Sequence, residues 1–221
     1  MIAPALEAAG ARLIELCDCD NAANLQKGPP RPQRMLSVII ATFDSERTLV
    51  PTLAALVSGA TSGLVSEVLV ADGGSSDETA AVADVAGCNF MVVPGPLGRR
   101  LKTAAAAARA PWLLFLQPGT VLDTPWTSEA RRFVEQRWPG GRAAVFRRSA
   151  AVPSALREML SLLTAAVGGR PRPEQGLLIS KQFYQTLDGH CERAADPQTD
   201  LIRRIGRRRT VTLSTGAFTA R

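Results

Sequence analysis

The 221-residue sequence is poor in the residues that several classes of protein depend on, with four cysteines, one histidine and one tyrosine. The cysteines are scattered, and the C-x-C pair at 17–19 has no second pair. The spacing of a zinc site is therefore absent, and reduced thiols are the expected state. The single histidine, His190, adjoins Cys191 in a glycine-containing loop. Adjacent side chains in such a loop rarely converge, which argues against a Cys–His nucleophile pair.

Long apolar runs are also absent. No stretch reaches the ~18 to 20 apolar residues that are needed to cross a bilayer. The amino terminus has no basic leader, and it contains four acidic residues within its first 20 positions, unlike a secretory signal. We therefore expect a cytoplasmic protein with no membrane span. A chain of this length can bury the core of one domain of moderate size.

The net charge of +6 is spread unevenly along the chain. Residues 141–221 hold 14 Lys or Arg against 6 Asp or Glu, whereas residues 1–140 hold 12 against 14. The basic third includes five arginines between positions 203 and 209. Such a cluster suits phosphate-bearing small molecules, anionic lipid surfaces or nucleic acid, and it can equally form a solvated face.

The most informative stretch is residues 67–79, with the sequence EVLVADGGSSDET. Its apolar start predicts a strand that is covered on both faces. Two glycines then allow a sharp turn or a close approach to a ligand. Ser75 precedes Glu78 by the three residues of a capping box, which predicts a helix over 77–86. Asp72 would then lie at the carboxyl end of a parallel strand, where open α/β sheets bind ligands, although plain turns use the same residues.

Apolar periodicity along the rest of the chain alternates between strands and helices, which predicts an α/β fold with a parallel sheet. A helix over 4–16 and a proline-rich linker at 28–32 make residues 1–34 an appendage to a main domain over 35–221. Predicted strands cover 36–42, 67–72, 89–93, 112–116, 143–146, 176–180 and 211–213. One predicted helix follows a cap at Asp44 or Ser45 and carries Leu49, Leu53 and Leu56 on one face. Others cover 77–86, 99–109, 127–137, 154–167 and 200–208.

The order of these motifs resembles the family 2 glycosyltransferases of the nucleotide-sugar-binding GT-A fold, from about residue 36 to residue 213. The first strand ends in a family-like turn at 41–46 (ATFDSE), and the second ends in DGGSSDET at 72–79, which is the more specific match. The resemblance implies a three-layer α/β/α fold with a mostly parallel central sheet and a Rossmann-like nucleotide-binding half. It resembles the short soluble members that lack membrane helices.

The resemblance also implies a nucleotide-binding site. By position in the motifs, Thr42, Asp44 and Glu46 would line the nucleotide pocket, together with Gly73. Asp72 would accept a hydrogen bond from the ring of the base. That role suits its chemistry, because a carboxylate is an acceptor only and selects a ring N–H.

The helix expected from residue 99 resembles the family's Gly-Arg-x-Arg-Gln-x-Asn segment, with Ala104 in place of the asparagine. Arg99, Arg100 and Lys102 fall in its first turn. A basic first turn opposes the helix dipole, so a nearby anion such as a diphosphate would relieve it. An exposed basic helix end is the simpler alternative.

The loop after the fourth strand departs from the family pattern. The family places an aspartate there to hold Mg²⁺ or Mn²⁺ on the diphosphate, whereas this chain has Gly119 at that position. Gln117 can offer only a neutral oxygen, and Asp123 is a weak candidate because it is out of register. A departing diphosphate needs its charge neutralised, and arginine or lysine can do part of that work.

Two later segments resemble the acceptor side of the family. Glu174 and Gln175 match a Gly-Asp-Gln-Gly segment, and Asp200 falls on the general base of an inverting hexosyl-type transfer. Asp200 could instead cap the following helix. The acceptor is unknown; the basic third would suit an anionic or lipid-linked acceptor and a peripheral membrane contact.

Three other functions are alternatives to glycosyl transfer. A catalytically silent relative would keep the fold and bind a nucleotide sugar without transferring it. A dinucleotide oxidoreductase is disfavoured because no G-x-G-x-x-G follows the first strand. Nucleic-acid binding is not expected, because the arginine cluster has no interleaved aromatic residues.

Overall fold

A computed structural model describes residues 35–149 and 172–220. The predicted helices over 4–16 and 154–167 and the linker at 28–32 lie outside these ranges. Within them, no helix combines the length and the apolar character that crossing a bilayer requires.

The described residues form eight strands and six α-helices. The strands are β1 (Leu36–Thr42), β2 (Val65–Asp72), β3 (Asn89–Val92), β4 (Trp112–Leu116), β5 (Thr120–Leu122), β6 (Ala143–Arg148), β7 (Leu177–Ser180) and β8 (Thr210–Thr219). The helices are α1 (Glu46–Thr61), α2 (Thr79–Val85), α3 (Leu97–Ala107), α4 (Trp126–Glu135), α5 (Lys181–Thr186) and α6 (Pro197–Ile205), with 3-10 turns at Pro173–Gln175 and Arg207–Arg209.

All eight strands join one sheet in the order β3-β2-β1-β4-β7-β6-β8-β5. The first four strands are parallel to one another, as the β-α alternation predicts. The second half is mixed, because β7 is antiparallel to both β4 and β6, β8 is parallel to β6, and β5 is antiparallel to β8. The predicted α/β class with a mostly parallel central sheet is confirmed.

The core consists of two apolar clusters, one on each face of the sheet. Ile40 points to one face, where it meets Leu49 of α1 and Trp126 of α4 in the same cluster. Its neighbour Ile39 points to the other face, with Leu101 of α3 and Leu201 of α6. Successive side chains of β1 thus enter opposite layers, which is why the buried strands appear as continuous apolar runs. The result is three layers with the sheet in the middle.

Several elements differ from the sequence prediction. No strand was predicted at β5 and no helix at α5. β8 has ten residues instead of the three predicted at 211–213, because its pairing with β6 and β5 supplies backbone hydrogen bonds that its Ser-, Thr- and Gly-containing sequence does not signal. The capping box at Ser75 and Glu78 does not form. Helix α2 begins at Thr79 without a side-chain cap, and the Ser75 hydroxyl bonds to Asp72 instead.

Candidate functional site

The carboxyl ends of β1 and β2 meet at one edge of the sheet. The parallel register places Thr42 beside Asp72, and the Thr42 hydroxyl donates a hydrogen bond of 2.8 Å to Asp72 Oδ1. Both side chains are buried. The two predicted pocket residues therefore bond to each other beneath this edge.

Asp72 organises the turn that follows β2. Its Oδ2 accepts hydrogen bonds from the backbone N–H groups of Gly74 (2.8 Å) and Ser75 (2.6 Å), and its Oδ1 accepts from the hydroxyls of Ser75 and Thr42. Burial opposes ionisation of this carboxyl, but hydrogen bonds from Ser75, Thr42 and Gly74 outweigh it and hold the pKa below its ordinary value. The side chain is only 1% exposed. Each oxygen already accepts two hydrogen bonds, so a base N–H would compete with these donors for Asp72.

The loops that leave β1 and β2 are tied together by the rest of the 72–79 motif. Asp44, at φ 44°, accepts a hydrogen bond of 2.8 Å from the Ser76 N–H, and its own N–H donates to the Ser75 hydroxyl. The Glu46 N–H, at the start of α1, donates to Asp77 Oδ2 at 3.0 Å. Asp44 stays exposed and Glu46 half-buried at this edge. Most polar groups of the motif thus form hydrogen bonds that hold the two loops together.

Arg100 is the basic residue that reaches this edge. Its Nη1 donates a hydrogen bond of 2.6 Å to the carbonyl oxygen of Thr42. A Cβ added at Gly73 would lie 2.8 Å from Arg100 Nη1 and 3.1 Å from Phe43 Cδ2, so position 73 must lack a side chain for Arg100 to lie there. Arg100 Nε is buried and has no hydrogen-bond partner within residues 35–149 and 172–220. Phe43 is 59% exposed beside it.

The other two predicted basic residues point elsewhere. Arg99 Nε pairs with Glu192 Oε2 at 3.1 Å, and Lys102 Nζ pairs with Asp188 Oδ1 at 3.1 Å. Both partners belong to the segment between α5 and α6. One of the three cations therefore lies at the shared edge of β1 and β2, and the other two form ion pairs on a neighbouring surface.

The loop after β4 does not offer a carboxylate to a metal ion. Gln117 Nε2 donates a hydrogen bond of 2.7 Å to Gln198 Oε1 on α6. Gly119, at φ +87°, donates its N–H to the Thr48 carbonyl of α1. Asp123 packs its carboxylate against Gly216 of β8. Across the two described ranges, no three His, Cys, Asp or Glu side chains form a group that could hold a metal ion. These residues do not fit the Mg²⁺ or Mn²⁺ site that the family resemblance implied.

Asp200 lies in the first turn of α6, but it does not cap the helix. The cap is Asp196, whose Oδ1 accepts a hydrogen bond of 3.0 Å from the Thr199 N–H. Asp200 is instead held by two arginines, with Arg203 Nη2 at 3.2 Å from Oδ1 and Arg204 Nε at 2.8 Å from Oδ2. Its carboxylate borders a cavity of about 330 Å³, which is lined by residues 194–196, 199, 200 and 203.

The predicted acceptor residues lie on the 3-10 turn before β7. Gln175 is used structurally, since its Nε2 donates to the Phe146 carbonyl at 2.7 Å and its Oε1 accepts from the Arg172 N–H. Glu174 is exposed. The turn contacts β4, β6 and β8, and so it lies next to the strand that precedes Gln117. Glu174 is therefore the member of the pair with a carboxylate open to solvent.

His190 and Cys191 face in different directions, since His190 is buried and Cys191 is exposed. His190 Nδ1 lies 2.9 Å from the Tyr184 hydroxyl, and His190 Nε2 is buried without a partner among the described residues. Burial, and secondarily the Arg204 charge, lower the pKa of His190 to about 3. A Cys–His nucleophile pair is not formed. Neither the Tyr184–His190 contact nor the Gln198 amide has a sequence motif that would have revealed it.

Comparison with known proteins found a family model that matches part of the chain. Residues 37–138 match the family described as Glycosyl transferase family 2. Glucosyl-3-phosphoglycerate synthase from Mycobacterium tuberculosis, in complex with Mg²⁺ and uridine diphosphate, superposes with a TM-score of 0.63 at 18% identity over 86% of this chain and 73% of that one. The same synthase with Mn²⁺, uridine diphosphate and glucosyl-3-phosphoglycerate gives a TM-score of 0.61.

A second solved structure, residues 1–349 of S. aureus TarS, superposes with a TM-score of 0.61 at 16% identity. That superposition covers 84% of this chain and 60% of TarS 1–349. At these identities the likeness shows the fold. No curated protein matches the sequence.

Proposed function

We propose that this chain, whose residues 37–138 belong to glycosyl transferase family 2, moves a sugar from a nucleotide-sugar donor to an acceptor hydroxyl. The match to that family carries the proposal, because the matched segment runs from β1 to Trp138 and includes every residue at the shared edge of β1 and β2. The fold likeness to a synthase that was crystallised with uridine diphosphate supports a nucleotide as the donor's leaving group.

The donor would bind at the carboxyl edge of β1 and β2. Arg100 reaches this edge and carries a charge that suits a diphosphate, and its buried Nε has no hydrogen-bond partner among residues 35–149 and 172–220. The exposed ring of Phe43 offers an apolar face against which a base can stack. Asp72 would act indirectly, by holding the turn that lets Gly73 and Arg100 approach each other.

The acceptor would bind at the cavity beside α6. In an inverting transfer, Asp200 would take the proton of the acceptor hydroxyl as its oxygen bonds to the anomeric carbon. The bond from that carbon to the phosphate oxygen would break, and the nucleoside diphosphate would leave with the electron pair. Because Asp196 serves as the cap, the Asp200 carboxylate is not committed to the helix backbone. Arg203 lines the same cavity and would favour an anionic acceptor, including a lipid-linked one.

We propose that the donor charge is neutralised here mainly by Arg100. The synthase complexes contain Mn²⁺ or Mg²⁺, but residues 117, 119 and 123 of this chain do not present a carboxylate to the corresponding region. The proposed sugar transfer therefore does not use a bound metal ion. The expected result is nucleotide-sugar binding that persists in EDTA.

A catalytically silent nucleotide-sugar-binding relative is the second candidate. The observation in its favour is the Gln117–Gln198 hydrogen bond, because two neutral amides occupy the place where the family resemblance expects a carboxylate. Such a protein would use the same donor edge without the acceptor chemistry.

Calorimetric titration with UDP-glucose and GDP-glucose, with Mn²⁺ or with EDTA, tests both candidates. A hydrolysis assay on the same samples then measures turnover. Binding with release of the nucleoside diphosphate supports the transferase, whereas binding without release supports the silent relative. If neither nucleotide sugar binds in either buffer, both candidates are wrong.

A further inference from the structure

A larger cavity lies at the opposite edge of the sheet from the donor edge. It has a volume of about 470 Å³ and is bounded by the amino end of β4 and the carboxyl end of β7, where Trp112 pairs with Ser180. Trp112 also pairs with Leu36, the first residue of β1, whereas Thr42 is its last. At ~3.3 Å per residue, the two edges are separated by roughly 20 Å. The volume falls in the range of about 300–1,000 Å³ that is typical of small-molecule sites.

The charged residues that line this cavity are all basic. Arg142 and Lys181 line it, and none of its lining residues is Asp or Glu. The Arg142 guanidinium lies over the Trp138 ring at 5.0 Å and makes no ion pair within residues 35–149 and 172–220. Ala143 pairs with Thr210, so Arg142 and Arg209 directly precede two paired residues, and the Arg209 guanidinium lies over the Phe183 ring at 5.8 Å. An anion in the cavity would therefore meet at least one uncompensated guanidinium.

The walls of the cavity are held by contacts that do not need a ligand. The Trp138 indole N–H donates a hydrogen bond of 2.9 Å to the Phe133 carbonyl, and the Phe133 ring packs against both Trp138 and Trp112. Lys181 Nζ donates to the carbonyl oxygens of residues 106 and 108 at the end of α3. A Cβ at Gly141 would lie 2.5 Å from Phe183 Cδ2, which fixes the turn before Arg142. Such preorganisation lowers the entropic cost of binding.

Three exposed glutamines complete the lining, at positions 136, 182 and 185. A primary amide donates and accepts hydrogen bonds at once, which matches a hydroxyl group that does the same. Arginine matches a phosphate or a carboxylate, and the edge of Trp112 offers an apolar surface. Taken together, these groups are complementary to a small molecule with several hydroxyls and one negative charge centre.

We propose that this cavity binds a sugar that carries a phosphate or a carboxylate, at a site separate from the donor edge. Arg142 binds the anionic group, and Gln182 and Gln185 bind hydroxyls. The site does not use Arg100 or Asp200, so it stands whether or not the chain transfers a sugar.

Calorimetric titration of the full chain with glucose 6-phosphate, glucuronate, glucose and inorganic phosphate tests the site. Glucose 6-phosphate or glucuronate should bind about tenfold more tightly than glucose and inorganic phosphate do, because both halves of the ligand are recognised. If glucose 6-phosphate binds more tightly than glucuronate, the site prefers a phosphate; if glucuronate binds more tightly, the site prefers a carboxylate. If inorganic phosphate binds as tightly as glucose 6-phosphate, or if none of the four probes saturates, the proposal is wrong.

Two variants locate the binding. Arg142→Ala should weaken the tighter anionic sugar about tenfold, whereas Arg137→Ala, which removes an exposed arginine outside the lining, should leave its Kd unchanged. Gln185→Ala changes only an exposed side chain of α5, and it should weaken the sugar phosphate without affecting inorganic phosphate. A loss of binding in Arg100→Ala that is absent in Arg142→Ala would place the ligand at the donor edge and overturn the proposal.

Discussion

Gln117 Nε2 donates a hydrogen bond of 2.7 Å to Gln198 Oε1, across 81 residues of sequence. Gln117 lies in the loop after β4, and Gln198 is a buried residue in the first turn of α6. The same turn carries Asp200, the residue proposed as general base. A neutral amide pair therefore links the loop in which the family resemblance placed a metal ligand to the helix that carries the proposed acceptor chemistry.

This pair should be coupled energetically. Gln117→Ala and Gln198→Ala should each lower the free energy of unfolding by about 1–2 kcal/mol, because each leaves a poorly solvated amide without its partner. The double variant should be less destabilised than the sum of the two single variants, by at least about 0.5 kcal/mol. Urea denaturation of the wild type, the two single variants and the double variant gives the four free energies of this double-mutant cycle. Strict additivity would mean that the two amides do not interact in solution.

Asp72 should be required for the fold of the turn more than for contact with a ligand. Asp72→Asn replaces an acceptor oxygen with an NH₂ group that faces hydrogen-bond donors, so the free energy of unfolding should fall by about 2–3 kcal/mol. Asp188→Asn is the matched control, since that side chain is 95% exposed and makes only a surface ion pair. If Asp72→Asn weakened nucleotide binding with no loss of stability, the carboxylate would have to contact the base after all.

Arg100 should contribute more to donor binding than its neighbour Arg99 does. Arg100→Ala should raise the Kd for uridine diphosphate about tenfold or more, because it removes the cation at the shared edge of β1 and β2. Arg99→Ala should change it less than about twofold, since that side chain pairs with Glu192 at the surface. Isothermal titration in EDTA compares the two variants. If the two variants raised the Kd equally, the positive potential of the helix end, and not a direct contact with Arg100, would account for the affinity.

Asp200 should affect turnover separately from binding. Asp200→Asn should abolish transfer and leave donor affinity nearly intact, because the amide cannot take a proton and the residue lies outside the donor edge. Asp196→Asn is the contrast, as it keeps a helix-capping side chain and should retain turnover. Measuring the donor Kd and the release of the nucleoside diphosphate on each variant separates the two effects. Equal loss of binding and turnover in Asp200→Asn would remove the general-base assignment.

His190 should make stability depend on pH in a range where few other groups titrate. Burial, with a smaller contribution from Arg204, lowers its pKa to about 3 in the folded protein, so protons bind preferentially to the unfolded chain. The stabilisation is fully present above about pH 6.5 and is lost as the pH falls towards 3. Between about pH 6 and pH 4.5, the free energy of unfolding should fall by up to about 1.4 kcal/mol per pH unit.

His190→Phe provides the control for that slope. A phenyl ring can occupy the same place beside Phe115 and Tyr184, whose rings pack against the imidazole. Chemical denaturation across the same pH range should then give a nearly flat profile. A slope that is unchanged in His190→Phe would assign the titration to another group.

The alternation of apolar strands and amphipathic helices was sufficient to predict the parallel half of the sheet. Strand β1 was predicted at its observed limits, because a strand that is buried on both faces has a continuous apolar sequence. The half of the sheet with both parallel and antiparallel pairs was harder to predict. Strand β8 is long because β6 and β5 pair with it, and a pairing between distant segments leaves little trace in local composition.

The sequence predicted which candidate residues lie near one another, but not which partners their side chains contact. Motif order placed Thr42, Asp72 and Arg100 near one edge, and the structure brings them together there. It also shows that Asp72 is occupied by its own turn and that Lys102 pairs with Asp188. Which of several neighbouring polar side chains points into a cleft depends on partners from distant segments.

By itself, the sequence determined the fold class and the family resemblance, because both follow from burial periodicity and from a motif whose turn and hydrogen bonds are local. Only the tertiary structure decided the partners of the charged and amide side chains. Arg99 finds Glu192, and Gln117 finds Gln198, through contacts between segments more than 80 residues apart. Such contacts depend on how the layers pack, and no local pattern of residue types encodes them.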